Sequence, residues 1–187
     1  MQSLRRAQYF SYSKWSGGLY VTPTVAGSRP GALVACAWAS LVTIGEDGFK
    51  TRVKSILDTT KLIANEISNI SGLRILGGTP QAMIVCFATT CDKIDIYSVA
   101  DAMKDEGWSL NSLQNPASIH LCVTLQTIQC KHKFIRDLKR VVVTMMEGEK
   151  EKTTTSDSAA VYGMAGSLPA GPVDDLLKCY TDVTLSC

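Results

Sequence analysis

The sequence predicts an α/β protein, and over this stretch an α+β arrangement in which a loop-rich start and two helices precede a small ββαββα unit. Three observations carry that prediction. Apolar residues recur at i, i+3/i+4 spacing between positions 49 and 70 and again between 134 and 145. Shorter apolar runs follow Gly72, at 73–76, 82–88, 108–113 and 119–125, where the helical period is lost. Turn sequences, GGTP at 77–80 and NPAS at 115–118, punctuate those runs. Strands connected in this order make a small antiparallel or mixed sheet with helices on one face.

Each element has a local reason. Residues 1–30 read as mostly loop, with Tyr9, Phe10, Tyr12, Trp15 and Tyr20 set among Ser, Gly and Pro. Pro30 suits a first helical turn, and the Ala-rich run 31–44, with bulk at Leu33, Trp38 and Leu41, reads as a helix buried on most sides. Gly45 ends it and Gly48 marks the next turn. A long amphipathic helix over 49–70 sets Phe49, Val53, Ile56, Ile63, Ile67 and Ile70 against Lys50, Lys54, Lys61 and Glu66. Asp95 caps a helix over 96–106, and Gly107 closes it. A third long helix covers 129–147, the polar run 147–157 reads as a linker, and a last helix spans 172–185. The aromatic start and the helix over 31–44 have no strands of their own, so another domain or subunit is expected to cover them.

Composition narrows the function. With 19 Lys and Arg against 17 Asp and Glu, the net charge of +2 gives no reason to expect nucleic acid or an anionic membrane as main partner. Residues 1–10 hold two arginines without a following apolar run, so no signal-peptide pattern is visible. The apolar run 32–44 is shorter than the roughly 20 residues a membrane span needs, so no transmembrane segment is expected. Seven cysteines, without a CxxC pair and placed in apolar runs, read as small buried hydrophobes in a reducing compartment. His120 with Cys122 and Cys130 with His132 are loose pairs rather than a zinc signature, so no metal is expected.

The segment WSGGLYVTPTVAGSRPG at 15–31 is the most specific feature of the chain. It resembles the loop that follows the cofactor lysine in sphingosine-1-phosphate lyases, of the group II pyridoxal-phosphate-dependent decarboxylase family. The resemblance continues through AWASLVTIGEDGF at 37–49, GGTPQAMIV at 77–85, IDIYSVADAMKDEGWSLNSLQNPASIHLCVT at 94–124 and AAVYGMAG at 159–166. It implies the C-terminal part of a pyridoxal-phosphate-dependent transferase-like fold of the aspartate aminotransferase type. Residues 1–45 would then be the tail of the large cofactor-binding domain, an interface loop and connecting helix, and 46–187 the small domain. The implied reaction cleaves a phosphorylated sphingoid base to a fatty aldehyde and phosphoethanolamine in a homodimer, with pyridoxal 5'-phosphate. The resemblance implies a cytosol-facing endoplasmic reticulum location where a membrane helix accompanies the chain, and a cytoplasmic one otherwise.

One departure qualifies the activity. The family's Schiff-base lysine sits in a His-Lys pair upstream of this loop. Lys14 follows Ser13 instead, and His132-Lys133 falls on a predicted helix of the other domain. The chain alone is therefore expected to be inactive and to offer the cofactor non-covalent contacts only. Two alternatives stay open: a non-catalytic fragment or pseudoenzyme that acts as an interaction partner, and a related amino-acid decarboxylase.

Candidate site residues follow. Gly27, Ser28 and Arg29 precede a helix N-terminus, where free N–H groups, a hydroxyl and a guanidinium suit a phosphate oxyanion. The same residues also suit a tight turn with Ser28 as N-cap and Arg29 in an ion pair. The resemblance brings this loop to the cofactor phosphate across the dimer interface. It places Tyr20 at the substrate end, where a phenol relays a proton; the residue type alone equally suits an interface aromatic. His120 reads as either a core histidine or a residue at the mouth of the substrate channel. Tyr162 and Met164 read as packing between the domains.

Overall fold

The computed structural model describes residues 2–23, 27–148, 161–162 and 168–185. The elements in chain order are α1 (Gln2–Gln8), β1 (Phe10–Tyr12), β2 (Tyr20–Thr22), α2 (Gly31–Ser68), β3 (Leu73–Ile75), β4 (Ile84–Thr89), α3 (Ile96–Asp105), β5 (Asn111–Leu113), β6 (Ser118–Cys122), α4 (Leu125–Glu147) and α5 (Ala170–Thr184). The linker expected over 147–157 and most of AAVYGMAG, Met164 included, lie outside the described residues.

Four antiparallel strands form the main sheet in the order β3-β4-β6-β5. Alternation along the strands sorts the side chains by face. Val85, Phe87, Ile119 and Leu121 are buried, whereas Cys86, His120 and Cys122 between them are half-buried. The buried set packs with Ile63 and Ile67 of α2, Val99 and Met103 of α3, and Phe134, Leu138 and Val142 of α4. This is the expected sheet with helices on one face. Asp95 caps α3 as expected, accepting from the backbone N–H of Tyr97 and Ser98 at 3.3 and 3.0 Å.

Several boundaries differ from the sequence reading. Residues 1–30 are not all loop: α1 is helical, and β1 and β2 form a hairpin with Phe10 opposite Thr22 and Tyr12 opposite Tyr20. Alternating aromatic and β-branched residues suit paired strands, yet the pairing spans ten residues and leaves no local mark. The run expected as strand to Leu125 stops at Cys122. Helix α4 starts at Leu125, ahead of the expected 129, because Thr124 and Thr127 form a reciprocal capping box. Trp108 was expected in a strand; instead its ring meets Phe134 edge-on, at 5.1 Å and 80°, and its Nε1 donates to Asp137 at 3.0 Å. Tertiary contacts override strand propensity here.

Both expected helices between 31 and 70 are present, run together as α2 with a break between them at the expected Gly45. Gly48 is helical rather than a turn, and the break sits at Gly45 alone (φ 65°, ψ 172°), a backbone region that glycine alone adopts readily. The helix over 31–44, expected to be buried under another domain or subunit, has no cover on this chain: Leu33, Val34, Trp38, Leu41 and Val42 are each about three-fifths exposed. By length and composition α2 could cross a membrane, with a mean hydropathy of 1.3 over a window of which none is buried. That length, however, counts residues beyond the break. The apolar half alone rises about 21 Å, short of a hydrocarbon core of about 30 Å.

The cysteines are less buried than expected. Cys36 and Cys179 are exposed; Cys86, Cys91, Cys122 and Cys130 are intermediate, and all six are free thiols. Cys36 is open because the first half of α2 lacks cover in this chain.

Candidate functional site

The site builds from the hairpin and the segment that joins it to α2. Tyr20 opens β2 and is 42% exposed. Its ring meets Phe10 at 6.1 Å and Trp15 at 6.0 Å, both edge-on. With Tyr12 these rings line a shallow apolar concavity of about 270 Å³. The hairpin is held from behind by α5: Tyr9 donates its hydroxyl proton to Asp182 at 2.9 Å, and Arg6 pairs with the same carboxylate.

Gly27, Ser28 and Arg29 are exposed and lie directly before α2. Pro30, not Ser28, occupies the N-cap, and no side chain caps this helix. The N–H groups of Gly31 and Ala32 therefore have no intrahelical acceptor. Among the described residues the Ser28 hydroxyl makes no hydrogen bond. The Arg29 guanidinium folds back, Nη1 donating to the carbonyls of Gly27 and Ser28 at 2.9 and 3.4 Å. The expected capping by Ser28 and ion pairing by Arg29 are thus not what holds this loop. Residues 1–45 contain Arg5, Arg6, Lys14 and Arg29 and no Asp or Glu, so the local charge favours an anion. Uncommitted N–H groups, a free hydroxyl and a guanidinium fit a phosphate, and among the described residues nothing lies within 4 Å of where a Gly27 Cβ would be.

His120 is a separate element of the arrangement. It sits mid-strand in β6, between Cys86 of β4 and Asn111 of β5. Its Nε2 lies 3.3 Å from Asn111 Nδ2, and burial pushes its pKa below the ordinary imidazole value, which favours the neutral ring. Burial pushes the Cys86 thiol up, against a hydrogen bond from Ser118, so it is no activated nucleophile. Among the described residues no three His, Cys, Asp or Glu side chains are grouped to hold a metal ion. Tyr162 stacks on Tyr97 at 5.1 Å and 24°.

Sequence reading passed over Gln114, which joins the main sheet to the hairpin loop across a hundred residues. Its only sequence mark is membership of the 94–124 block.

Comparison with known proteins places this arrangement. No family model matches the chain. It is 44% identical over 168 residues to a sphingosine-1-phosphate lyase of Dictyostelium discoideum, covering 90% of this chain and 31% of that protein. A lyase of the same name from Arabidopsis thaliana is 40% identical over 180 residues, covering 96% of this chain and 32% of that one. The chain belongs to the sphingosine-1-phosphate lyase family. Among solved structures, the sphingosine-1-phosphate lyase Bpss2021 of Burkholderia pseudomallei K96243 superposes with a TM-score of 0.58 at 35% identity, over 82% of this chain and 34% of that one. The mixed helix-and-sheet architecture is therefore α/β, like the part of that lyase it superposes on. The chain spans about a third of the length of the curated lyases it matches.

Proposed function

We propose that this chain is the C-terminal portion of a pyridoxal-phosphate-dependent sphingosine-1-phosphate lyase, with 1–45 completing the large domain and 46–187 forming the small one. The observation that carries the reading is the donor set before α2: an uncapped helix start, the Ser28 hydroxyl and Arg29, in a segment without carboxylates. Bound there, the cofactor would supply the electron sink for breaking the C2–C3 bond of a phosphorylated sphingoid base. The chain's own residues do the rest of what it contributes. The backbone of Gly27, the Ser28 hydroxyl and the Arg29 guanidinium hold the cofactor phosphate. Tyr20 Oη holds or returns the proton of the substrate's C3 hydroxyl. The aromatic rings around Tyr20 exclude water from that proton. His120, neutral and beside Asn111, lines the mouth of the substrate channel. In the homodimer, 27–29 and Tyr20 serve the neighbouring subunit's site. The Schiff-base lysine is supplied from outside these residues, so the chain alone does not turn over.

The test uses a complete, lysine-containing lyase carrying this segment. A hydrogen bond to a charged group contributes about 1.5–3 kcal/mol, so Ser28→Ala should weaken cofactor binding about tenfold to a hundredfold. Tyr20→Phe keeps the ring and should lower turnover about a hundredfold with little change in cofactor affinity. In mixed dimers, a lysine-dead subunit paired with a Ser28→Ala, Tyr20→Phe subunit should regain one working site. Unchanged kinetics in both single variants would return the loop to a structural turn. Mixed dimers of verified composition with no regained activity would remove the cross-subunit arrangement.

A further inference from the structure

The loop between β1 and β2, residues 13–19, carries Trp15 to the edge of the Tyr20 ring. Little within the loop fixes its shape: Gly18 donates its N–H to the Trp15 carbonyl at 3.1 Å. Three further loop carbonyl contacts come from one distant residue. Gln114 follows directly after β5, half-buried. Its Nε2 donates to the Ser13 carbonyl at 2.7 Å and to the Trp15 carbonyl at 2.8 Å. Its backbone N–H donates to the Ser16 carbonyl at 3.0 Å. The residue before it is itself anchored, since the Leu113 carbonyl accepts from the Tyr97 hydroxyl at 2.8 Å.

The side-chain chemistry is restrictive. A primary amide has two N–H donors on one nitrogen, and both are used here, one on each carbonyl. Glutamate has the same length and no donor, and asparagine is one methylene short. The loop also comes close enough to this anchor to exclude a side chain. Gly18 is buried with φ 113°, and a Cβ there would lie 2.7 Å from the Tyr162 hydroxyl and 3.3 Å from the Ser112 carbonyl. The grip therefore ends on the Trp15 backbone, and the Trp15 ring meets Tyr20 at 89°.

We infer that Gln114 is a positioning residue for Tyr20, holding the 13–18 loop against the small domain so that the Trp15 ring fixes the Tyr20 phenol. This rests on the lyase reading of Tyr20. It couples the proton-handling hydroxyl to the β5–β6 turn of the small domain rather than to the hairpin alone.

Two substitutions test it: Gln114→Glu removes both donors at constant shape, and Gln114→Met removes them without adding charge. In the 187-residue chain, amide hydrogen exchange over residues 13–22 should quicken about tenfold to a hundredfold in both, with the urea midpoint of the main core unchanged. In a complete lysine-containing lyase carrying this segment, kcat on a phosphorylated long-chain amino alcohol should fall about tenfold while KM stays near its original value. The same substitution placed in the Tyr20→Phe background should lower kcat no further, because residues acting through one group are not additive. Unchanged exchange over 13–22 would overturn the inference, and so would a kcat loss that adds in full to that of Tyr20→Phe. If Tyr20→Phe alone leaves turnover intact, the proton role of Tyr20 falls, while the exchange result still decides whether Gln114 holds the loop.

Discussion

Replacing Gly45 by alanine should straighten α2. The break at this residue has φ 65° and ψ 172°, and nothing lies within 4 Å of the position a Cβ would take. The effect is therefore conformational and not steric. An alanine held in that region costs about 1–3 kcal/mol, and an alanine placed in a helix gains about 1 kcal/mol over glycine. Together these shift the balance toward the straight form, relative to the parent, by about 2–4 kcal/mol, roughly thirtyfold to a thousandfold. Packing offers little resistance, because residues 31–43 are all exposed. Spin labels at positions 35 and 61 of a cysteine-free chain would report the change. A straight helix separates them by about 39 Å, at 1.5 Å per residue, and any break shortens the distance. Double electron–electron resonance should find a shorter distance in the parent and about 39 Å in the Gly45→Ala chain. Identical distance distributions in the two chains would refute the claim that the glycine backbone sets the break.

Two further outcomes follow from the same structure. Hydrogen bonds from Lys133 (2.7 Å) and Trp108 (3.0 Å) hold the Asp137 carboxyl below the usual carboxylate range, outweighing its burial. A depressed folded pKa stabilises above the unfolded value, about 3.9, and that contribution is lost as pH falls through the folded pKa. Urea midpoints should therefore show the parent ahead of Asp137→Asn at pH 7 and the gap closing below about pH 4; a gap that persists would mean the network does not depend on ionisation. Separately, covering the exposed parts of Leu33, Val34, Trp38, Leu41 and Val42 is worth about 1–2 kcal/mol each, a sum of the same order as the roughly 4–15 kcal/mol that association costs. Sedimentation velocity should show weak self-association of the chain, abolished by Trp38→Glu with Leu41→Glu; a parent that stays monomeric to about 100 μM would refute it.

What the sequence made legible was chemistry that acts over a few residues. Asp95 reads as a cap because its carboxylate needs only the N–H groups two and three residues on. The run 82–88 reads as a strand because its apolar residues are contiguous and the GGTP turn lies just before it. Thr124 escaped notice because its box partner is Thr127, where Glu or Gln is the usual signal. Trp108 left its expected strand for an acceptor 29 residues away. At the site, the 27–29 loop was legible as a donor cluster before a helix. The inward turn of Arg29 and the reach of Gln114 to Ser13 were not, since no local pattern encodes either contact.

The two halves of the chain solve different physical problems. Residues from 56 to 142 bury Ile63, Ile67, Val85, Phe87, Ile119, Phe134 and Leu138 among themselves, so that part needs no other surface to form a core. The first 45 residues combine an apolar helix face, four aromatic rings around a shallow concavity, an uncapped helix start and a charge without carboxylates. The apolar surface is costly when left in water, and the uncapped N–H groups beside a guanidinium, satisfied by water when nothing is bound, suit an anion. On the proposed reading one event answers all of them. A second subunit covers the helix and the rings, and the phosphate of the cofactor it carries meets the donors at 27–31. The site is then no decoration on a finished domain. It forms as the exposed segment is buried, and Gln114 ties that segment to the half of the chain that is already folded.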